Sequence, residues 1–245
     1  MKATPLEFRF RYIIHAVIYL LGFTTPWNYW LHIDPTGFQS HSWGILASKL
    51  GSGTLAWFNV LLLFAILMAS LGAFLRTWGA AYLGAGIVQS HDMHGDSVLA
   101  DGPYRHFRNP LYLGTFLHTF ALALLMPPSG SLFAIVFIGL FQLRLIFAEE
   151  PFLAARLGQP YLDYCKRVPC ILPTLTPRVP PSGAHPRWLQ GILGEIYMIG
   201  VALSFAVFGW RYDAFFLTKC VVISLGVSLV VRAIAPRTAP QTMSS

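Results

Sequence analysis

The chain has 245 residues, of which 55% are hydrophobic and 11% charged, with a formal net charge of +7 and a mean hydropathy of +0.57. Soluble domains carry about 25% charged residues, so this composition excludes an ordinary soluble domain and indicates a multispanning membrane protein. The cations sit between apolar runs rather than along one polar face, which excludes nucleic acid as their partner and assigns them to membrane topology.

Lys2, Arg9 and Arg11 precede the first uncharged run, Tyr12 to Ile33. No small-residue cleavage site follows, so a retained first span is expected, with Trp27 to Trp30 as its interfacial belt. Pro35 to Gly53 reads as a loop. Thr54 to Leu75 is the second expected span, closed by Arg76, and Arg76 to Arg108 is polar enough to lie outside the hydrocarbon. Pro110 to Leu143 carries no charge and is broken by Pro127-Pro128-Ser129-Gly130, which predicts a two-helix hairpin, spans three and four. Glu149 to Pro173 is expected to leave the membrane, and Thr174 to Pro186 is a proline-rich connector. Trp188 to Trp210 and Ala214 to Val231 complete the pattern, the last span being short and carrying Lys219.

The fold class read from this pattern is all-α: a polytopic transmembrane helical bundle of about six spans, with short interfacial helices on the cytoplasmic side. With a cytoplasmic N-terminus, that side takes Lys2, Arg9, Arg11, Arg76, Arg105, Arg108, Arg156, Lys166, Arg167, Arg178, Arg187, Arg232 and Arg237, whereas Lys49 and Arg211 lie opposite. The positive-inside rule therefore places both termini and both motif blocks below on the cytoplasmic face. A composition break near Thr174 divides the chain into a motif-bearing four-span part, 1–173, a connector, 174–187, and a two-span extension and tail, 188–245.

The densest polar stretch, Asp101 to Gly114, reads DGPYRHFRNPLYLG. Asp101-Gly102-Pro103 is turn chemistry, and Asn109-Pro110 opens a helix, with Asn109 as N-cap and Pro110 in the first turn. A basic loop feeding an open helix N-terminus suits an anionic ligand group; a polybasic loop on lipid headgroups is the plainer alternative. The second constellation is Glu149-Glu150 at the cytoplasmic end of span four, with Arg144 about a turn and a half earlier. Ionisable groups at such depth are functional candidates, although Arg144 also reads as a snorkelling anchor. After them, Gly158 and Pro160 separate two short helices. In the second, Tyr161, Tyr164, Cys165 and Val168 share one face of an amphipathic surface helix.

Other chemistry is sparse. His91 and His94 with Asp92, Asp96 and Asp101 form an acidic-imidazole cluster that reads by default as a solvated loop, so no metal is expected. Cys165, Cys170 and Cys220 lack metal-ligand spacing and are expected as reduced thiols. Glu195, inside span five, is open among a functional, a protonated and a helix-paired carboxylate. No Gly-rich phosphate loop and no nucleophilic triad is visible.

DGPYRHFRNPLYLG resembles the GPYR-x-x-R-H-P-x-Y-x-G signature of the isoprenylcysteine carboxyl methyltransferase and phospholipid methyltransferase superfamily. AEEPFLAARLGQPYLDYCKRVPCILP is similar to that superfamily's C-terminal block, with YLDYCKRVP closest to the isoprenylcysteine branch. The resemblance implies an integral-membrane enzyme that uses S-adenosylmethionine in a cytosol-facing pocket and takes a lipidic or prenylated small-molecule acceptor from the surrounding membrane lipids. Carried over by position, Tyr104, Arg108, Asn109, Pro110, Tyr112 and Gly114 would form the cofactor pocket. Glu149 and Glu150 would stand at the reacting end, with Glu150 also touching the cofactor, and Tyr161 and Tyr164 would close the pocket. Three departures stand out: Asn109 replaces a frequent histidine, Arg144 is out of register with the family arginine before the glutamates, and two spans follow the V-P motif. YCKRVPCILP also resembles the ending of sterol reductases, which would imply NADPH and hydride transfer. A non-enzymatic membrane scaffold is the third possibility.

Overall fold

The computed structural model describes residues 2–25, 41–83 and 98–234, and all the regular structure there is helical. Trp27 to Trp30, and His91 and His94 with Asp92 and Asp96, lie outside the described residues. Helix α1, Pro5–Arg9, starts at a reciprocal cap in which Thr4 Oγ1 accepts from the Glu7 N–H and the Glu7 carboxylate accepts from the Thr4 N–H. Helix α2 is Arg11–Thr24 and α3 is Ser42–Gly51. Helix α4, Leu55–Leu83, does not stop before Arg76, so that arginine lies within the helix. A short 3-10 turn, Gly102–Arg105, leads to α5, Pro110–Ala123. Helix α6, Pro128–Leu157, continues through Glu149, Glu150 and Pro151, so the short helix expected before Gly158 is the end of the fourth expected span's helix, with Gly158 at its C-cap. Gly158, at φ +65, then turns the chain into α7, Gln159–Arg167, which opens with Pro160 as expected. Helices α8, Trp188–Gly194, α9, Ile196–Phe208, and α10, Ala214–Ile234, complete the chain.

Among the described residues three helices, α4, α6 and α10, are long and apolar enough to cross a membrane. A fourth span is obtained if α8 and Ile196–Arg211 count as one crossing bent by 72°. The first and third of the six expected spans correspond to α2 and α5, of 14 residues each. At 1.5 Å per residue each covers about 21 Å, short of the roughly 30 Å hydrocarbon core. α2 ends where Thr25 takes a left-handed φ of 34°, and α5 stops just before Pro127-Pro128.

One hydrophobic cluster runs through the bundle. Leu62, Ala65, Ala69 and Ala73 lie along one stripe of α4 and meet Ala121 and Leu122 of α5, Val201 and Phe205 of α9, and Leu217 and Val221 of α10. The C-terminal helices therefore share the core of the motif-bearing part. The α4–α5 interface is the most extensive in the bundle, and it is close because both helices place glycine there. A Cβ on Gly72 would lie 2.6 Å from the Gly114 carbonyl, and one on Gly114 would lie 2.8 Å from the Gly72 carbonyl and 2.7 Å from Arg76 Cγ. Gly114 is thus a helix-crossing residue in this structure. Gly114→Ala is expected to cost about 1–3 kcal/mol through this overpacking, visible as a lower Tm in detergent.

Candidate active site

The site is built on the loop between α4 and α5, and glycine and aspartate set its path. Gly102 has φ +53, and its Cα faces the Tyr82 ring so closely that a Cβ would overlap it. Asp101 is buried, and its carboxylate accepts from the backbone N–H groups of Ser182 at 3.1 Å, Gly183 at 3.3 Å and Ala184 at 3.0 Å, and from the Ser182 hydroxyl. The connector is held at further points. Thr174 Oγ1 donates to the His106 carbonyl at 3.1 Å, Arg105 Nε donates to the Val179 carbonyl at 3.0 Å, and the Arg178 N–H donates to the Arg105 carbonyl at 2.8 Å. Residues 174–187, helix-free as expected, are therefore a strap across the loop.

Burial opposes ionisation of Asp101, but the Ser182 hydroxyl and the three N–H donors outweigh it and leave the carboxyl below its ordinary range. A depressed folded pKa contributes stability above the unfolded pKa, and that stability is lost as pH falls through the folded value. The strap is expected to hold at neutral pH and to loosen below about pH 4. Hydrogen exchange over 174–187 measures this, and Asp101→Asn should raise exchange already at pH 7 and remove its acid dependence.

At the end of the loop, Arg108 ties three parts of the chain together. Its Nε and Nη2 donate to the two Glu150 oxygens at 2.9 and 3.1 Å. Its Nη1 donates to the carbonyls of Cys165 at 2.9 Å and Val168 at 2.6 Å, at the C-terminal end of α7, where a cation is favoured. Burial disfavours the charged guanidinium, yet the hydrogen bonds and charge of Glu150 raise its pKa further, so it stays protonated. Asn109 occupies the N-cap position of α5, but its side chain makes no cap bond. Its Nδ2 donates to Glu150 Oε1 and to the Cys170 carbonyl, both at 3.1 Å, which turns the carboxamide toward α6 and the chain after α7. Glu149, about 100° further back around α6, faces α5 and accepts from the Tyr112 hydroxyl at 2.7 Å.

The structure therefore gathers Arg108, Asn109, Tyr112, Glu149 and Glu150. Tyr104, Tyr161 and Tyr164 lie next to them but are packed. The Tyr164 hydroxyl donates to the Tyr104 carbonyl at 2.7 Å, and Tyr161, Tyr164 and Val168 form a cluster with Leu153 and Leu157. Burial raises the pKa of all three phenols. Pro110 sits against α4, its Cγ 3.3 Å from where a Gly79 Cβ would be, and Gly114 lies at the α4–α5 crossing. Arg144 is elsewhere: it donates to both Glu7 oxygens, at 2.9 and 2.8 Å, and so ties α6 to α1.

Two features escaped the sequence reading. Cys170 places its Sγ 3.4 Å from Glu150 Oε1. Arg76 and Glu195 form a bidentate pair, Nε to Oε2 at 2.6 Å and Nη2 to Oε1 at 2.7 Å, so Glu195 is the helix-paired carboxylate among the three open readings. Arg76 also donates to Thr115 Oγ1 at 2.8 Å. The available signal was the pair of opposite charges, each isolated in an apolar run.

A guanidinium, two carboxylates, a carboxamide and a phenol converge where two helices and a loop meet. Such a set can hold a zwitterion and accept a proton. Residues 60–159 match the model of the phospholipid methyltransferase family. The match takes in α4 from Val60, the 101–109 loop, α5 and α6 with both glutamates, and ends as α7 begins. No curated protein and no solved structure matches the chain. The segment that carries Arg108, Glu149 and Glu150 is thus similar to the phospholipid methyltransferases, which supports the methyltransferase family indicated by the motifs.

Proposed function

We propose that this protein is an integral-membrane methyltransferase that uses S-adenosylmethionine and acts on a lipidic acceptor. The observation that carries the reading is the bidentate Arg108–Glu150 contact, which closes the two motif blocks onto each other at the end of the family-matched segment. The residues suit the cofactor. Its amino-acid end is a zwitterion, and Arg108 and Glu150 offer the opposite charge for each of its two charges. When bound, the cofactor supplies a methyl group activated on a sulfonium.

The chain's own residues then have distinct tasks. Arg108, anchored on the carbonyls of Cys165 and Val168, fixes the carboxylate end, and Asn109 holds Glu150 in place. Glu149, oriented by the Tyr112 hydroxyl, is the proton acceptor for an amine substrate. A carboxylate acceptor would need no base, and displacement then depends on alignment alone. The family description favours a phospholipid amine over an isoprenylcysteine carboxylate. In this reading the catalytic core lies within residues 1–173, 174–187 strap its loop, and the helices of 188–234 pack against one side of it. The site then faces the cytoplasm, as the clustering of cations around both motif blocks supports.

The test uses the purified full chain with methyl-labelled S-adenosylmethionine and two acceptors, a phosphatidylethanolamine and a prenylated cysteine. Labelled phospholipid, inhibited by S-adenosylhomocysteine, is the expected product. Label in the prenylcysteine ester would move the acceptor to the other branch. Binding of NADPH with no binding of S-adenosylmethionine would overturn the reading.

A further inference from the structure

The chain that leaves α7 carries two apolar side chains that its own packing does not use. Leu172 is 77% exposed and Leu175 fully so, and neither belongs to a hydrophobic cluster among the described residues. A single exposed leucine is ordinary, but these two flank Thr174, which the fold pins. The Thr174 N–H and Oγ1 both donate to the His106 carbonyl, at 3.3 and 3.1 Å, and His106 Nδ1 donates to the Thr174 carbonyl at 2.7 Å. Before the loop the Arg108 N–H donates to the Pro169 carbonyl at 2.9 Å, and after it the Arg178 N–H is held by the Arg105 carbonyl. Pro173 and Pro177 stiffen the backbone next to each leucine. The leucines are therefore presented by an ordered loop.

The same histidine sets the level of this loop along the bundle. The His106 ring centroid lies 6.1 Å from that of Trp78, near the end of α4, and Trp78 lies 5.4 Å from Phe74, one turn earlier. Phe74 is exposed on a helix long and apolar enough to cross a membrane, so its ring faces lipid. A tryptophan one turn beyond an outward-facing apolar ring, at the end of a span, marks the headgroup level. Trp188, exposed at the start of α8, adds a second such ring, and the adjoining Arg187 N–H donates to the Ala81 carbonyl of α4 at 2.8 Å. Through His106 and Trp78 the loop is tied to the boundary between hydrocarbon and water. Charge points to the same partner. Arg167, at the end of α7, and Arg178, just after the loop, are exposed, and among the described residues neither forms a salt bridge. Lys166, by contrast, is taken by Asp163 at 2.8 Å.

We infer that the loop from Leu172 to Leu175 is an interfacial anchor: its two leucines enter the boundary region of an anionic bilayer, and Arg167 and Arg178 meet the headgroups. Apolar side chains on a preorganised loop lose little freedom when they insert, and guanidinium groups beside them favour a surface of negative phosphate-bearing lipids. The partner is a lipid surface rather than one bound lipid. This role does not depend on the reaction performed at Arg108 and Glu150.

The test places an environment-sensitive fluorescent amino acid at position 175 of the full chain, reconstituted one copy per lipid nanodisc. Leu175 is fully exposed, so the replacement disturbs no packing. The quenchers are phosphatidylglycerol and phosphatidylcholine brominated either near the glycerol end of the acyl chains or near the chain ends. The expected result is quenching by the glycerol-end bromines, about twofold or more stronger for phosphatidylglycerol than for phosphatidylcholine at equal mole fraction. The exposed double variant Arg167→Gln, Arg178→Gln should keep the quenching and lose the preference for phosphatidylglycerol. No quenching by any of the four lipids would leave the loop in water and overturn the inference. Stronger quenching by the chain-end bromines would put position 175 in the hydrocarbon and also overturn it. So would equal quenching by the two lipid classes, or a preference that survives loss of both arginines.

Discussion

Replacing Glu195 by alanine is expected to destabilise the protein by about 3–5 kcal/mol, the range for removing one partner of a buried ion pair. The Glu195 side chain is 2% exposed and that of Arg76 14%, so loss of the carboxylate leaves a guanidinium with only Thr115 and the distant Leu111 carbonyl as acceptors. Arg76→Ala should cost a similar amount. The double variant Arg76→Met, Glu195→Leu should recover much of the loss, because two apolar side chains remove the desolvation problem altogether. Thermal unfolding in detergent, followed by loss of the monodisperse peak, measures all three. The outcome also decides how the C-terminal helices relate to the rest. Glu195 sits at the break between α8 and α9, and Arg76 is on α4. If residues 188–234 folded as an independent appendage, Glu195→Ala would leave the unfolding temperature of residues 1–173 unchanged.

The sequence made visible what depends on local chemistry. Gly158 and Pro160 mark the boundary between α6 and α7, and Tyr161, Tyr164 and Val168 lie on one buried face, because turn propensity and helical period are read within a few residues. The two motif blocks were legible as blocks, and the resemblance put them in one pocket. The individual bonds were not legible: only the fold shows that Arg108 takes Glu150 and the carbonyls at the end of α7 as its partners. Asn109 followed by proline carries a strong capping signal, yet a carboxylate from a helix 41 residues away takes its amide. Helix ends were misplaced where propensity is flat. Arg76 looks like a terminator, but α4 passes through it, since Arg76 is neutralised by Glu195. The shortness of α2 and α5 was hidden for a related reason. Apolar runs record burial or lipid contact, not where a helix stops.

Glu150→Gln is expected to lower methyl-transfer turnover by roughly 100-fold, equivalent to about 2.7 kcal/mol of transition-state stabilisation. The amide is nearly isosteric, so packing on α6 is kept, but it carries no charge and accepts from Arg108 through one oxygen where the carboxylate uses two. Arg108→Lys should fall as far, because an ammonium cannot bridge Glu150 and the Cys165 and Val168 carbonyls together. A structural clamp would also be damaged by these changes, so the deciding variant is the pair Arg108→Gln, Glu150→Gln. Two carboxamides can hydrogen-bond each other and restore the contact without charge. Under the proposed function the double variant regains thermal stability, stays inactive, and binds S-adenosylhomocysteine poorly, since neither end of the zwitterion finds its opposite. If the double variant regains turnover together with stability, Arg108 and Glu150 are a brace between α6 and α7, and the cofactor's amino-acid end must be held elsewhere.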